Sequence, residues 1–285
     1  MPGILYLVAT PIGNLEDMTY RAVRILQEAD EIAAEDTRNS RKLLTHFDLH
    51  TPMTSYHEFN KYDKAEVLVR QMQEGKVIAL ITDAGTPGIS DPGEVLVQRC
   101  YEAEIPVVPV PGACAAVNAL IASGQATRRF CFEAFLPADK KERRAVLEEL
   151  KRETRTMVIY EAPHRLVKTL EELEGVLGDR PLTVAKELTK RHETFLMTSL
   201  GKAVEHFREE PPKGEYVLVI AGKSEEEQKK EQQARWEDVP VEEHIRNLIE
   251  KGLTEKEAIK QVAVERGVPK REIYQIHVLK NKINE

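Results

Sequence analysis

The stretch Val77-Ile78-Ala79-Leu80-Ile81-Thr82-Asp83-Ala84-Gly85-Thr86-Pro87-Gly88-Ile89-Ser90-Asp91-Pro92-Gly93 joins an unbroken apolar run to a loop built of glycine and proline. Residues 77–82 show no polar alternation, the mark of a strand covered on both faces. Residues 93–103 read as a helix. Strand, stiffened loop and helix form one unit of an open, parallel α/β sheet. Gly85 and Gly88 let the backbone approach a ligand closely. Pro87 and Pro92 restrict the loop and lower the entropy cost of binding.

Outward from this stretch the pattern repeats. Strand-like runs fall at 4–10, 31–35, 53–57 and 107–110, and helical segments at 20–29, 41–47, 63–74 and 113–123. Unusual loops end each strand: Val8-Ala9-Thr10-Pro11-Ile12-Gly13-Asn14, Glu35-Asp36-Thr37-Arg38, His57-Glu58, Asp83 to Gly93, and Pro111-Gly112-Ala113. In an open parallel sheet ligands bind at the carboxyl ends of the strands. All these loops lie at that edge, which points to a binding site. Asp83 is placed to accept hydrogen bonds, and Gly112 with Ala113 would open a helix whose free N–H groups favour a carboxylate. A ligand with an amino-acid end and an apolar nucleoside end would suit these features.

A second pattern begins near Arg128. Strands are expected at 130–136, 156–161, 182–188, 193–199 and 216–221, and helices at 139–152, 165–177 and 201–207. The short gap between 182–188 and 193–199 predicts antiparallel pairing and so a mixed sheet. Residues 139–155 carry seven basic side chains interrupted by acids, either a solvated helix or a stripe facing nucleic acid. The organisation expected is a first α/β domain at 1–124 with the ligand loops, a second at 125–223, a charged linker at 224–238 and a helical tail at 239–285. In the tail, Thr254 and Glu257 form a capping box, Gly267 ends a helix and Pro269 precedes another. This resembles a helix-turn-helix, either a nucleic-acid contact or a small helical cap.

Bulk numbers narrow the classes. The chain has 285 residues, 41% hydrophobic and 31% charged, with a formal net charge of −7. That balance argues against nonspecific coating of nucleic acid, so any such contact needs local basic patches. No apolar run reaches the ~20 residues of a membrane span. Cys100, Cys114 and Cys131, sparse and odd in number, lead us to expect a cytoplasmic protein. Gly-x-Gly-x-x-Gly after the first strand, the Gly-x-x-x-x-Gly-Lys-Ser/Thr loop, His-Glu-x-x-His, Cys-x-x-Cys and Gly-x-Ser-x-Gly are all missing. Dinucleotide, triphosphate, metal and hydrolase sites are therefore disfavoured, and no metal is expected.

Five blocks carry the reading further: Leu7 to Leu15, Ala34-Glu35-Asp36-Thr37-Arg38, Thr82 to Gly93, Tyr160-Glu161-Ala162-Pro163-His164-Arg165 and Lys186-Glu187-Leu188-Thr189-Lys190. In this order they resemble the tetrapyrrole methylase superfamily, and most closely its branch of small-subunit ribosomal RNA methyltransferases. The resemblance runs from about Ile4 to Lys223, and the tail is similar to that branch's C-terminal module. It implies a homodimer that transfers methyl from S-adenosylmethionine to the 2′-hydroxyl of a cytidine in the decoding region of 16S ribosomal RNA. It also implies a cofactor cleft between the two halves. Pro11, Asp83, Ala84, Gly85, Thr86, Ile89, Ser90, Gly112 and Ala113 would line it from the first half, and Ala162, Pro163 and Tyr216 from the second.

A ribose hydroxyl is a poor nucleophile, so a base should help. The candidates are Asp36, Glu58, Lys186, Glu187 and His192. Lys186 is favoured if burial or a neighbouring cation lowers its pKa. The alternative role for Lys186 and Glu187 is that of ion-pair partners across the sheet, and in an extended strand Lys186 and Lys190 share a face. Arg38, Arg41, Arg165 and Lys190 are the candidates for RNA contact, arginine suiting phosphate best. Two alternatives stay open: a tetrapyrrole as methyl acceptor, and a ribosome-binding factor that has lost the cofactor.

Overall fold

A computed structural model of the chain describes residues 3–281; Met1, Pro2 and positions 282–285 of the expected tail lie outside the described residues. The chain divides into two compact units, one running up to Lys151 and including Arg155–Ala221, the other comprising Arg152–Thr154 and the chain from Gly222 on.

The first unit opens with β1 (Ile4–Val8), α1 (Tyr20–Glu28), β2 (Glu31–Ala34), α2 (Thr37–His46), β3 (Met53–Ser55), α3 (Lys61–Gln73), β4 (Val77–Ile81), α4 (Gly93–Glu102), β5 (Val107–Val110) and α5 (Ala115–Ala122). The strands form a five-stranded, wholly parallel sheet in the order β3-β2-β4-β1-β5. Its strands are apolar throughout because both faces are covered. On β4, Ala79 and Ile81 pack with Ile25 and Leu26 of α1 and Leu44 of α2. Ile78 and Leu80 pack on the other face with Leu68 and Met72 of α3 and Leu96 of α4. Each such aliphatic side chain stabilises the fold by about 1.5–3 kcal/mol.

The unit continues with β6 (Phe130–Phe135), α6 (Lys140–Leu150), β7 (Thr156–Glu161), α7 (Pro163–Leu177), β8 (Pro181–Lys186), β9 (Thr194–Ser199), α8 (Leu200–Glu209) and β10 (Tyr216–Ile220). The second sheet runs β6-β7-β10-β8-β9, with only β6 and β7 parallel. The pairing of β8 with β9 is antiparallel, as their short connection requires. One face packs under α6, α7 and α8 through Leu147, Leu166, Leu170 and Val204. The opposite face is covered by α5, whose Ala116, Ala119 and Leu120 meet Val158, Ala185, Val217 and Val219. A helix that leaves the first sheet thus completes the core of the second.

Three of the departures from the expected boundaries bear on the site. The helix α2 starts at Thr37, not at residue 41, because Asp36 caps it by accepting the Arg38 N–H at 2.8 Å. The polar run Thr37-Arg38-Asn39-Ser40 hid that first turn. The helix α5 starts at Ala115, so Gly112 and Ala113 precede it rather than opening it. The strand β8 ends at Lys186, because Glu187 and Thr189 take positive φ of 53° and 66° and turn the chain away. Lys186 and Lys190 therefore do not share the face of one extended strand.

The second unit holds α9 (Glu225–Ala234), α10 (Val241–Glu250), α11 (Glu255–Arg266) and α12 (Lys270–Asn281). The charged stretch after Gly222 is helical, capped by the reciprocal Ser224 and Glu227 pair, and buries no residue. Thr254 and Glu257 form the second capping box, and Gly267 ends α11 in the left-handed region at φ 66°. Ile245, Ile259, Val262 and Ile273 make a small core. Trp236 stacks on the buried His244, ring centroids 3.4 Å apart. None of the described helices is long and apolar enough to cross a membrane.

Candidate functional site

Hydrogen bonds between loops build the site. Thr10 and Gly85 exchange backbone N–H···O bonds of 2.9 and 3.1 Å, and the Thr10 hydroxyl donates to the Thr82 carbonyl at 3.1 Å. These tie the loop after β1 to the loop after β4. The Thr86 hydroxyl then donates to the Ala113 carbonyl at 3.0 Å, adding the loop after β5. Gly85 has φ 87°, and a Cβ there would stand 3.1 Å from Ile12 Cγ2 and 3.3 Å from the Ala113 oxygen. Only glycine meets both demands. The loop also closes on itself, since a Cβ on Gly93 would come within 2.8 Å of the Gly88 Cα.

A cleft of about 520 Å³ opens over these loops, within the range of small-molecule sites. From the first half it is lined by Ile12, Glu35, Asp83, Ala84, Gly85, Thr86, Ile89, Ser90, Asp91, Cys114 and Ala115. Phe135, Tyr160, Glu161, Ala162, Pro163, Leu188, Glu215, Tyr216 and Val217 line it from the second. A smaller cavity of about 340 Å³ adjoins it and shares Ile12, Asp83, Ala84 and Glu215.

The cleft is polarised. Glu35, Asp83 and Asp91 bring three carboxyl groups to its first-half side. Burial raises the Glu35 carboxyl, with Asp83 and Asp36 adding repulsion. Burial also pushes Asp91 up to about 6, reinforced by the charges of Glu35 and Asp83. Carboxylates destabilised by one another attract a cation. Asp83 is oriented by the Asn39 amide, which donates to its Oδ2 at 3.0 Å.

Aromatic and apolar side chains dominate the other wall, which also carries Glu161 and Glu215. Tyr160 stands edge-on to Phe132 and Phe135, at 4.9 and 5.7 Å between centroids. A bulge between Phe132 and Ala134 in β6 brings Phe135 opposite Tyr160. The Tyr160 hydroxyl accepts the Ala116 N–H at 2.9 Å, and burial pushes its pKa up to about 12. That bond occupies a first-turn donor of α5, which the sequence reading had reserved for a ligand carboxylate. Glu161 is 2% exposed; it accepts from the Thr169 hydroxyl at 2.5 Å and pairs with Arg165 at 3.4 Å.

The cleft gathers Asp83, Ala84, Gly85, Thr86, Ile89, Ser90, Ala162, Pro163 and Tyr216 of the residues expected there. Pro11 lines the smaller cavity, and neither Gly112 nor Ala113 lines either one. Gly112 instead lets the chain pass Ala9, whose Cβ would stand 2.8 Å from an added one. Asp36, Lys186 and Glu187 line neither cavity. Asp36 receives Arg38 through Nε at 3.1 Å and through the terminal nitrogen at 2.8 Å, which lowers its pKa to about 2. Burial works to raise the Glu187 carboxyl, but the Lys190 ammonium at 3.0 Å and the Glu215 N–H at 2.9 Å outweigh it and hold it below its usual range.

Of the basic candidates, Arg38 is engaged by Asp36 and Arg165 by Glu161 and the Leu136 carbonyl, the last at 2.7 Å. Lys190 bridges Glu187 and Glu215 and lies across Gly13 at the smaller cavity. Arg41 is exposed on α2 and lines a shallow depression with His50. Sequence reasoning missed Glu35, Asp91, Phe135, Tyr160 and Glu215 as lining residues. Glu35 and Asp91 sit in loops already singled out, so the strand-end rule could have found them. Phe135 depends on a bulge and left no local signal.

Comparison with known proteins places this geometry. The family model described as Tetrapyrrole (Corrin/Porphyrin) Methylases matches residues 4–204. The chain is similar to a curated protein of Halalkalibacterium halodurans, Ribosomal RNA small subunit methyltransferase I, with 51% identity over 96% of this chain and 94% of the relative. Among solved structures it resembles a diphthine synthase at TM-score 0.64 and 13% identity, covering 78% of this chain and 91% of that one. It also resembles a Thermus thermophilus uroporphyrin-III C-methyltransferase complexed with S-adenyl homocysteine, at TM-score 0.53 and 22% identity, covering 76% and 97%.

Proposed function

Because this chain belongs to the tetrapyrrole (corrin/porphyrin) methylase family, we propose that it is an S-adenosylmethionine-dependent methyltransferase of small-subunit ribosomal RNA. The acceptor in this reading is the 2′-hydroxyl of a cytidine in the decoding region of 16S ribosomal RNA, and the setting is the cytoplasm. The observation that carries the cofactor assignment is the cleft's lining: Glu35, Asp83 and Asp91 gathered at the first half, and Tyr160, Phe135, Leu188 and Val217, beside Glu161 and Glu215, at the second. That lining fits a ligand with cationic groups and an aromatic nucleoside.

Bound S-adenosylmethionine supplies an activated methyl group on a sulfonium. The protein's contribution is placement. Asp83 and Glu35 hold the cationic end, while Ile89, Tyr160 and Val217 enclose the apolar end. Gly85 and Thr86 fix the loop that sets their spacing. Holding acceptor and donor in line can contribute about 7–11 kcal/mol.

The acceptor hydroxyl must also lose its proton. Of the candidates Asp36, Glu58, Lys186, Glu187 and His192, none lines the cleft, and Asp36, Glu58 and Glu187 are held in ion pairs. We assign the role to Asp91, which does line it. A carboxylate near 6 is a stronger base than an ordinary one and is still ionised at neutral pH. Arg41, exposed on α2, remains a proposed RNA contact. Arg38, Arg165 and Lys190 would have to exchange an internal partner for phosphate.

A homodimer completes the reading. Val117 and Ile121 on α5 and Phe195 and Met197 on β9 expose apolar surface, 67% for Ile121 and 69% for Met197. Gly124 brings α5 and β9 together, an added Cβ standing 3.1 Å from Met197 Cε. Exposed apolar side chains on two neighbouring elements favour a partner surface.

The deciding experiment incubates the purified protein with methyl-labelled S-adenosylmethionine and small ribosomal subunits from a strain lacking the activity. Ribose methylation of a cytidine in the decoding region is expected. Label appearing in a porphyrinoid and absent from ribosomal RNA would overturn the proposal.

A further inference from the structure

The cleft leaves its smaller neighbour without a role. That cavity lies between the loop after β1 and the exposed end of α2, against the wall Ile12, Asp83, Ala84 and Glu215 that it shares with the larger one. At about 340 Å³ it sits at the low end of the ~300–1,000 Å³ range of ligand pockets, a size for one nucleotide.

Its lining has the chemistry of a nucleotide site. Pro11, Leu15 and Leu43 provide apolar surface, and Leu15 is 41% exposed. Asn39 and Ser40 from one turn of α2 provide hydrogen-bonding groups. Ser40 is only 4% exposed, and its hydroxyl has no hydrogen-bond partner among the described residues. A buried hydroxyl left unpaired costs about 1–3 kcal/mol, a cost that a ligand acceptor or donor removes. Lys42 is exposed at the rim with no ion-pair partner among the described residues, whereas Lys190 opposite is neutralised by Glu187 and Glu215. One unneutralised ammonium beside a part-apolar, part-polar hollow suits a flat heterocycle carrying a phosphate.

We propose that this smaller cavity receives the target nucleotide, unstacked from its neighbours, with its base against α2 and its phosphate at Lys42. The inference rests on the methyltransferase reading of the adjoining cleft. The ribose of a nucleotide seated this way lies at the shared wall, facing the donor across Asp83 and Ala84. A single-stranded or splayed-out base is the form in which RNA is commonly read by a protein pocket. Glu35 and Asp91, which line the larger cleft and not the smaller cavity, disfavour the phosphate in the donor's cleft.

The test is equilibrium binding of a fluorescent oligoribonucleotide of decoding-region sequence to the full chain saturated with S-adenosylhomocysteine. Ser40→Leu fills the cavity and Lys42→Ala removes the rim charge. Each should weaken RNA binding about 10-fold, while S-adenosylhomocysteine affinity stays within about 2-fold of the parent. Lys42→Ala should also lower the salt dependence by about 0.7, as one lost phosphate contact requires. Lys42 is exposed, so its variant keeps the proposal decidable if Ser40→Leu does not fold. Undiminished RNA binding by Lys42→Ala and every folded Ser40 variant would overturn the proposal, as would a matching loss of cofactor affinity or a parent that binds no RNA. Failure of the parent to methylate ribosomal RNA, with RNA binding still sensitive to both variants, would remove the acceptor assignment and leave the cavity assignment standing.

Discussion

Asp83 leaves β4 with its carboxylate already held by the Asn39 amide. Asp83→Ala removes that acceptor and one of the cleft's negative charges. Affinity for S-adenosylmethionine should fall about 10- to 100-fold, the size of a lost charge-assisted hydrogen bond. Calorimetry returning the parental affinity would take Asp83 out of the site. Asp91 makes a pH-dependent prediction. With its carboxyl raised to about 6, methyl transfer in a single turnover should climb with pH and level off above that value. A bound cation favours the ionised form and moves the inflection lower. Asp91→Asn should flatten the profile and slow transfer about 10²- to 10⁴-fold. The same raised carboxyl costs stability, because the folded chain holds the proton more tightly than the unfolded one. Stability contributed by Asp91 therefore falls as pH rises from about 4 to about 6. Asp91→Asn should then raise Tm more at pH 7 than at pH 4, and equal shifts would contradict the assignment. The carboxylates were visible in the sequence as loop residues, but their mutual repulsion was not, since it depends on β2 and β4 lying side by side. Lysine 186 shows the converse: its motif was legible, yet the left-handed turn at Glu187 that ends its strand was not.

Among the elements, the sheet strands were the most legible. Unbroken runs such as Val77–Ile81 announce burial on both faces, and the two-sided packing of β4 follows from that. Helix starts were harder, because caps are polar and look like loop. Asp36 is at once the cap of α2 and the partner of Arg38, so its carboxylate is engaged within its own helix. The helix α5 was recognised as a helix, but nothing local said that it would cover the second sheet. Its outward face makes the next prediction. Ile121→Glu places a charge in the apolar strip of α5 and β9, and should convert a dimer into a monomer with little change in far-ultraviolet circular dichroism. Light scattering that shows an unchanged mass would mean the strip is not the dimer surface.

At the scale of the molecule, every residue lining the cleft and the smaller cavity belongs to the first unit. A chain ending at Ala221 should therefore bind S-adenosylmethionine within about 2-fold of the full chain. Loss of cofactor binding on truncation, in a chain that still folds, would show that the helical unit contributes to the site. The sequence made the helical tail legible through its caps, while leaving its partner open, and the structure adds a small core and the Trp236–His244 stack. The five blocks that carried the family resemblance all lie in the first unit, in keeping with chemistry confined there.

A helix that starts from one sheet and is buried against the other has a thermal consequence. Melting the second sheet strips α5 of its apolar cover, and losing α5 releases the link that joins it to β5. The second sheet has no complete hydrophobic interior without α5, which the first sheet's chain supplies, so the first unit should absorb heat in a single endotherm whose calorimetric and van't Hoff enthalpies agree. Scanning the chain ended at Ala221 and finding two resolved peaks would mean that the sheets are thermodynamically separate.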